Sequence, residues 1–298
     1  MTTGQQYGGM AREAIKVAAR QTGVLSSTFR PLPDFLLIGA KRGGTTSLYF
    51  DLLAHPAVLA LYPPPVPRLK PEATKGVHYF DSQSWRSERW YRSHFPTRLT
   101  RRRVAGRTGM RPIAGEGSPY YLFHPAAAQR ASALVPEAAI IVILRDPTMR
   151  AYSHWKERRR NGAEALSFED AIAAEPDRLA GQRERLLADA RFQSYAWEQQ
   201  SYLAQSVYVD ALRPWWDRFG IDRVHVTLSE DYYRAPADML GAIQEFLGVP
   251  RVSPDRTQVR NAARGEDLDP GMRRRLAAHF ADSNHALAAL LGRELPWS

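Results

Sequence analysis

Residues Phe35 to Leu53 read FLLIGAKRGGTTSLYFDLL: a short apolar run, a tight turn holding two cations and two glycines, then the opening of an amphipathic helical pattern. That order commits the segment to a strand feeding a helix through a turn in which glycine permits close backbone approach. The backbone N–H groups of a helix start, and the positive end of its dipole, favour a bound phosphate or sulfate. A nucleoside-triphosphate loop needs G-x-x-x-x-G-K-[ST]. Counting from Gly39 reaches Gly44, but Thr45 stands where the lysine belongs, and the cations Lys41 and Arg42 precede the glycines.

A second strand and helix lie between Ala138 and Gly162, AAIIVILRDPTMRAYSHWKERRRNG. The β-branched and leucine run suits a parallel strand covered on both faces, and Pro147 suits the first turn of the helix that follows. Arg145 falls at the strand's C-terminal edge, where loops of an open α/β sheet converge on a ligand crevice. Arg150 and Ser153, three residues apart, share a helix face. The expected fold is α/β: a P-loop-like parallel sheet flanked by helices on both faces.

The loop Arg42-Gly43-Gly44-Thr45-Thr46-Ser47, with the pattern R-x-P-x-x-R-x-x-S from Arg145 to Ser153 roughly 100 residues downstream, resembles the sulfotransferases that use 3′-phosphoadenosine 5′-phosphosulfate (PAPS). Their loop is usually K-x-G-T-T, and in strict register the lysine falls on Arg42. An arginine supplies that charge with a different reach and a planar fork. The resemblance implies that Lys41 or Arg42 meets the phosphosulfate, aided by the backbone from Gly43 to Thr46 and the hydroxyls of Thr45, Thr46 and Ser47. It assigns Arg145 and Ser153 to the 3′-phosphate, and Arg150 to a structural role.

Lys75 to Pro96, KGVHYFDSQSWRSERWYRSHFP, resembles the stretch K-E-x-H-F-F-D followed by W-Y-x-x-x-F-P in the heparan-sulfate-type branch. In that branch the acidic residue after the lysine is the catalytic base, and Gly76 occupies its place here. A glycine cannot take a proton. His78, whose unperturbed pKa lies near 6.5, is the first candidate for general base. Glu116, in AGEGSPYYLF, is the second candidate or an orienting partner, and Glu72 the third. Arg260 and Arg264 bracket the place of a basic loop that covers the 3′-phosphate in relatives. Trp85, Trp90, Tyr91, Tyr120 and Tyr121 are candidates to stack on a sugar or aromatic acceptor.

These 298 residues suffice for one large core. Residues 1–30 are expected to form a poorly ordered extension and residues 31–298 a single domain, with exposed lid helices between 157 and 200. The absence of cysteine excludes disulfides and thiolate chemistry. No clustered His and carboxylate set has metal-ligand spacing, so no metal is expected. The longest apolar runs fall far short of the roughly 20 residues that span a bilayer, and residues 1–30 lack a signal-peptide core. A cytoplasmic protein is therefore expected. Arginine outnumbers lysine 36 to 5, which suggests a GC-rich bacterial source.

The formal charge of +10 is scattered among runs such as Arg101–Arg103, Arg158–Arg160 and Arg273–Arg275, with no nucleic-acid-binding signature beside them. No nucleic-acid partner is expected, and a positive cleft would instead speed the approach of an anionic nucleotide. The expected reaction is sulfuryl transfer from PAPS to a carbohydrate, glycolipid or secondary-metabolite hydroxyl. Two other classes share the anion-binding turn: a P-loop kinase or nucleotidase, which would use ATP with magnesium, and a non-catalytic nucleotide binder of the same fold.

Overall fold

Each of the two apolar runs forms a strand buried on both sides, and the chain builds its sheet around them. In the computed structural model, residues 20–63, 75–253 and 267–297 are described. β1 (Phe35–Gly39) and β4 (Ala139–Leu144) lie side by side, with β3 (Ile113–Gly117) and β2 (Val58–Leu59) beyond β1, and β5 (Val224–Leu228) beyond β4. The order is β2-β3-β1-β4-β5, and every pair is parallel. Phe35 pairs with Gly115 on one side and Ala139 on the other, which fixes β1 in the middle of the sheet.

Strand alternation divides the core into two layers. Leu36, Ile38, Ile140, Val142 and Leu144 face one layer, while Phe35, Leu37, Ile141 and Ile143 face the other. The first layer is covered by α4 (Ala127–Leu134), α10 (Tyr208–Phe219) and part of α13 (Pro270–Leu291). Leu212, Trp215 and Phe219 of α10 are buried there, with Trp216 partly buried beside them. The second layer is covered by α1 (Thr45–Leu53) and α12 (Pro236–Phe246). Helices therefore flank both faces of a parallel sheet, as expected from the sequence.

The remaining helices are α2 (Glu88–Arg92), α3 (Arg98–Thr108), α5 (Pro147–Arg160), α6 (Phe168–Ala173), α7 (Glu175–Leu179), α8 (Gln182–Ala188), α9 (Tyr195–Gln199) and α11 (Ser229–Arg234). α6 to α9 occupy the stretch expected to carry lid helices. Residues 20–30 join the folded unit: Arg30 is buried and donates to the Phe95 carbonyl, and Arg20 donates to Ser93 Oγ at 3.0 Å. Residues 1–19, Glu72, Arg260 and Arg264 lie outside the described residues. Among those described, no helix is long and apolar enough to cross a membrane.

Candidate active site

The turn between β1 and α1 is shaped by its glycines. A Cβ on Gly43 would sit 2.6 Å from the Ile143 carbonyl oxygen and 3.0 Å from that of Ala40, so only glycine lets the turn lie against β4. Gly44 adopts φ 106° as the residue before α1, a conformation costly for residues with a side chain. The first-turn N–H groups of α1 have no carbonyl one turn earlier to bond, and they face back into the turn. Thr45, Thr46 and Ser47 open this helix.

Lys75 reaches the same place from a different segment. Its Nζ donates to Thr45 Oγ1 and to Thr46 Oγ1, each at 3.0 Å. Burial, with Arg42 adding to it, pushes the Lys75 ammonium down to about 7. An ammonium at the mouth of a helix N-terminus is what the loop sequence lacks at position 45. In the sequence Lys75 is only the first residue of a longer match. Nothing local indicates that its side chain returns to a turn 30 residues earlier.

The two loop cations part company. Lys41 Nζ donates to Gln199 Oε1 at 2.8 Å and to the Glu198 carbonyl at 3.3 Å, at the end of α9. Arg42, at φ 69°, turns instead toward α5, where its Nε donates to Ser153 Oγ at 3.2 Å and its Nη1 lies 3.8 Å from Glu157. Burial and the neighbouring Arg145, Arg160 and Arg158 push the Arg42 guanidinium down, against Glu157. His154, fully buried on α5, is driven well below its ordinary pKa by burial and by Lys41, Arg150, Arg158 and Arg42. This region concentrates positive charge.

α5 begins where its proline and aspartate dictate. Asp146 caps it, accepting from Thr148 N at 2.9 Å, and Pro147 occupies the first turn. Arg145, just before the cap, has its carbonyl held by Tyr208 OH at 2.8 Å. Arg150 is a brace: fully buried, it donates to Ser206 Oγ at 2.6 Å, to the Tyr202 carbonyl and to the Lys41 carbonyl. The two sequence motifs thus meet directly at the Arg42–Ser153 hydrogen bond, with Arg145 close enough to depress Arg42.

His78 follows Lys75 by three residues, at φ 54°. Its Nδ1 bonds Asp81 Oδ2 at 2.8 Å, and its side chain is 42% exposed while that of Asp81 is sealed. Burial pushes the imidazole down, but Asp81 outweighs it, with Glu116 and Glu198 adding, and the net pKa is raised. Burial pushes the Asp81 carboxyl up, but His78, Ser82 and His124 outweigh it and hold the group below the ordinary carboxylate range. An ionised Asp81 accepts, so Nδ1 carries the proton and Nε2 presents its lone pair.

Gly76 has no room for a larger residue. A Cβ there would lie 2.8 Å from both the Gly117 carbonyl oxygen and Ser118 Oγ, and 3.3 Å from His78 Nε2. The imidazole therefore stands next to the space that a side chain at position 76 would enter. Gly76→Glu should lower kcat/KM by about tenfold or more, since the clash is with backbone and shifts the His78 loop. Steady-state kinetics of the purified variant checks this; a gain in activity would show that the loop readily accepts the carboxylate.

Glu116 is placed differently from His78. Fully buried at the end of β3, it accepts from Val77 N at 2.6 Å, Ser118 Oγ at 2.7 Å, Tyr91 OH at 2.8 Å and Tyr121 OH at 2.9 Å. Four donors occupy the positions its two oxygens offer. Burial pushes its carboxyl up and those donors pull it back, leaving it raised. Tyr91 and Tyr121, two acceptor-stacking candidates, are thereby buried and spent on Glu116. Tyr120 is also buried, while Trp85 is 44% exposed and stacks against Arg86.

A family profile described as "Sulfotransferase domain" matches residues 32–263. Among characterised relatives, the bifunctional heparan sulfate N-deacetylase/N-sulfotransferase 1 of Caenorhabditis briggsae is 27% identical over 238 residues, covering 79% of this chain and 25% of that protein. The mouse heparan sulfate glucosamine 3-O-sulfotransferase 3A1 is 28% identical over 253 residues, covering 84% of this chain and 55% of that one. The chain thus spans from a quarter to about half the length of these curated relatives. Among solved structures, a sulfotransferase from Alicyclobacillus acidocaldarius superposes with a TM-score of 0.63 at 28% identity, covering 90% of this chain and 99% of that one.

Proposed function

Since the chain belongs to the sulfotransferase family, we propose that it transfers a sulfuryl group from PAPS to a hydroxyl of a carbohydrate, glycolipid or secondary-metabolite acceptor. The products are a sulfate ester and 3′-phosphoadenosine 5′-phosphate (PAP). The observation that carries this proposal is the meeting of the β1–α1 turn with α5. Arg42 bonds Ser153 there, with Arg145, Arg158 and Arg160 around it and Lys75 on the threonines of the turn. So many cations in a partly buried place fit a ligand with phosphates at both ends.

PAPS supplies an activated sulfur. In this scheme the first turn of α1 and the hydroxyls of Thr45, Thr46 and Ser47 hold the phosphosulfate. Lys75 carries the positive charge that meets the oxygen left behind when the sulfur–oxygen bond breaks. Arg42 spans toward Ser153, which with Arg145 holds the 3′-phosphate. Lys41 ties the turn to α9 and so positions the lid. His78 Nε2 takes the acceptor's proton as the hydroxyl oxygen bonds to sulfur, and Asp81 fixes its tautomer and stabilises the imidazolium. Glu116 ties Val77, next to the base, to Ser118 and to Tyr91 and Tyr121.

The glycan acceptors named for the relatives make a carbohydrate hydroxyl the first class to test. Arg145→Ala should weaken PAP binding by about tenfold or more, the scale of a lost charge-assisted hydrogen bond. Isothermal titration checks this, and unchanged affinity would place the 3′-phosphate elsewhere. In the same preparation PAP should raise the melting temperature and ATP with magnesium should not. The reverse pattern would favour a kinase or nucleotidase.

A further inference from the structure

A face formed by the N-terminal segment and α3 carries features that sulfuryl transfer does not use. Phe29 is 65% exposed and Leu99 56% exposed, and together they line a surface groove with Ser26, Thr97, Arg98 and Arg102. Leu25, one residue before Ser26, is 85% exposed. α3 holds Arg98, Arg101, Arg102, Arg103 and Arg107, and its sequence contains no acidic residue. Arg101 turns inward onto Asp34 at 2.6 Å, whereas Arg98, Arg102, Arg103 and Arg107 are exposed. Leu99, Arg102 and Arg103 share one helix face by spacing.

Single exposed apolar side chains are ordinary on protein surfaces. A phenylalanine and a leucine sharing one groove, rimmed by arginines, make a composite surface that is apolar at its centre and cationic around it. We propose that this face docks the protein peripherally on an anionic lipid surface. Phe29 and Leu99 enter the boundary between headgroups and acyl chains, and Arg98, Arg102 and Arg103 meet lipid phosphates. Binding of this kind draws on apolar insertion and on charge together. A nucleic acid or an acidic glycan would use the arginines but gain little from an aliphatic Leu99 held out in solvent. The charge complementarity and the central apolar pair therefore favour lipid.

Co-sedimentation of the full chain with vesicles tests this, comparing pure phosphatidylcholine with a mixture containing about one third phosphatidylglycerol. The chain is expected to bind the mixed vesicles and not the pure ones. The Phe29→Ser/Leu99→Ser variant should lose about tenfold or more in partitioning through the apolar half, and Arg102→Gln/Arg103→Gln a similar factor through the charged half. All four positions are exposed, so an unchanged melting temperature is expected; if the apolar pair unfolds the chain, Leu99→Ser alone carries the same comparison. Absence of binding to the mixed vesicles overturns the proposal. So does binding that the apolar variant leaves unchanged, which marks plain adsorption of a basic protein. Arginine-dependent binding to soluble heparin or duplex DNA without vesicle binding overturns it as well, in favour of a polyanion surface.

Discussion

His78→Ala should lower turnover by about 10²- to 10⁴-fold, the range a positioned general base supplies, while PAP affinity stays within about twofold, since His78 lies outside the phosphate-holding residues. The expectation rests on geometry. The His78 side chain is partly exposed, its Nδ1 is held by a sealed carboxylate, and its Nε2 lies beside the space that Gly76 leaves. Asp81→Asn should retain the shape but remove the charge that raises the imidazole. Because the base works only when neutral, the acid limb of the pH profile should then move to lower pH. Near-normal turnover in His78→Ala would take His78 out of the mechanism, and the sealed Glu116 could not replace it without releasing one of its four donors.

Lys75→Ala should lower kcat by about 10²- to 10³-fold, as does loss of one preorganised donor at developing negative charge. The pH dependence separates this role from simple packing. With burial pushing it down to about 7, Lys75 is a cation below that pH and loses its charge as pH rises through it. His78 acts in the opposite sense and becomes available as pH rises through its own raised pKa. The profile of kcat/KM, which reports the free enzyme, should be bell-shaped, falling on the acid side as His78 is protonated and on the alkaline side as Lys75 loses its charge. In Lys75→Arg the charge persists at every accessible pH, so the alkaline limb should disappear even if the peak rate is lower. An alkaline limb at the same position would assign it to another group.

Much of this architecture is legible in two stretches of sequence because each states its structure locally. The apolar run ending at Gly39 and the one ending at Leu144 have no polar face to expose, so both must be interior strands. The glycines after the first and Pro147 after the second open helices. Which strands neighbour one another is not written there. β1 lies between β3 and β4 because crossover helices return the chain to the sheet, a tertiary outcome that periodicity does not encode.

The site divides in the same way. That the turn and α5 belong to one place follows from their order and edge positions, and their contact appears as the Arg42–Ser153 bond. The separation of Lys41 from Arg42 was hidden, since adjacent residues in a tight turn diverge according to backbone angles, here φ 69° at Arg42. Lys75 was hidden for a different reason: its partners Thr45 and Thr46 are distant in sequence and meet it only after the sheet forms. The sequence leaves Glu116 open as a second base or an orienting partner, and only the fold shows two tyrosines, a serine and a backbone N–H closing over it.

The most direct test is a crystal structure of the full chain with PAP bound. The 5′-phosphate is expected at the start of α1 within hydrogen-bonding reach of Lys75, and the 3′-phosphate between Arg145 and Ser153. Nucleotide density lying away from both ends of that span, or no density at saturating PAP, would contradict the assignment of this crevice to the sulfuryl donor.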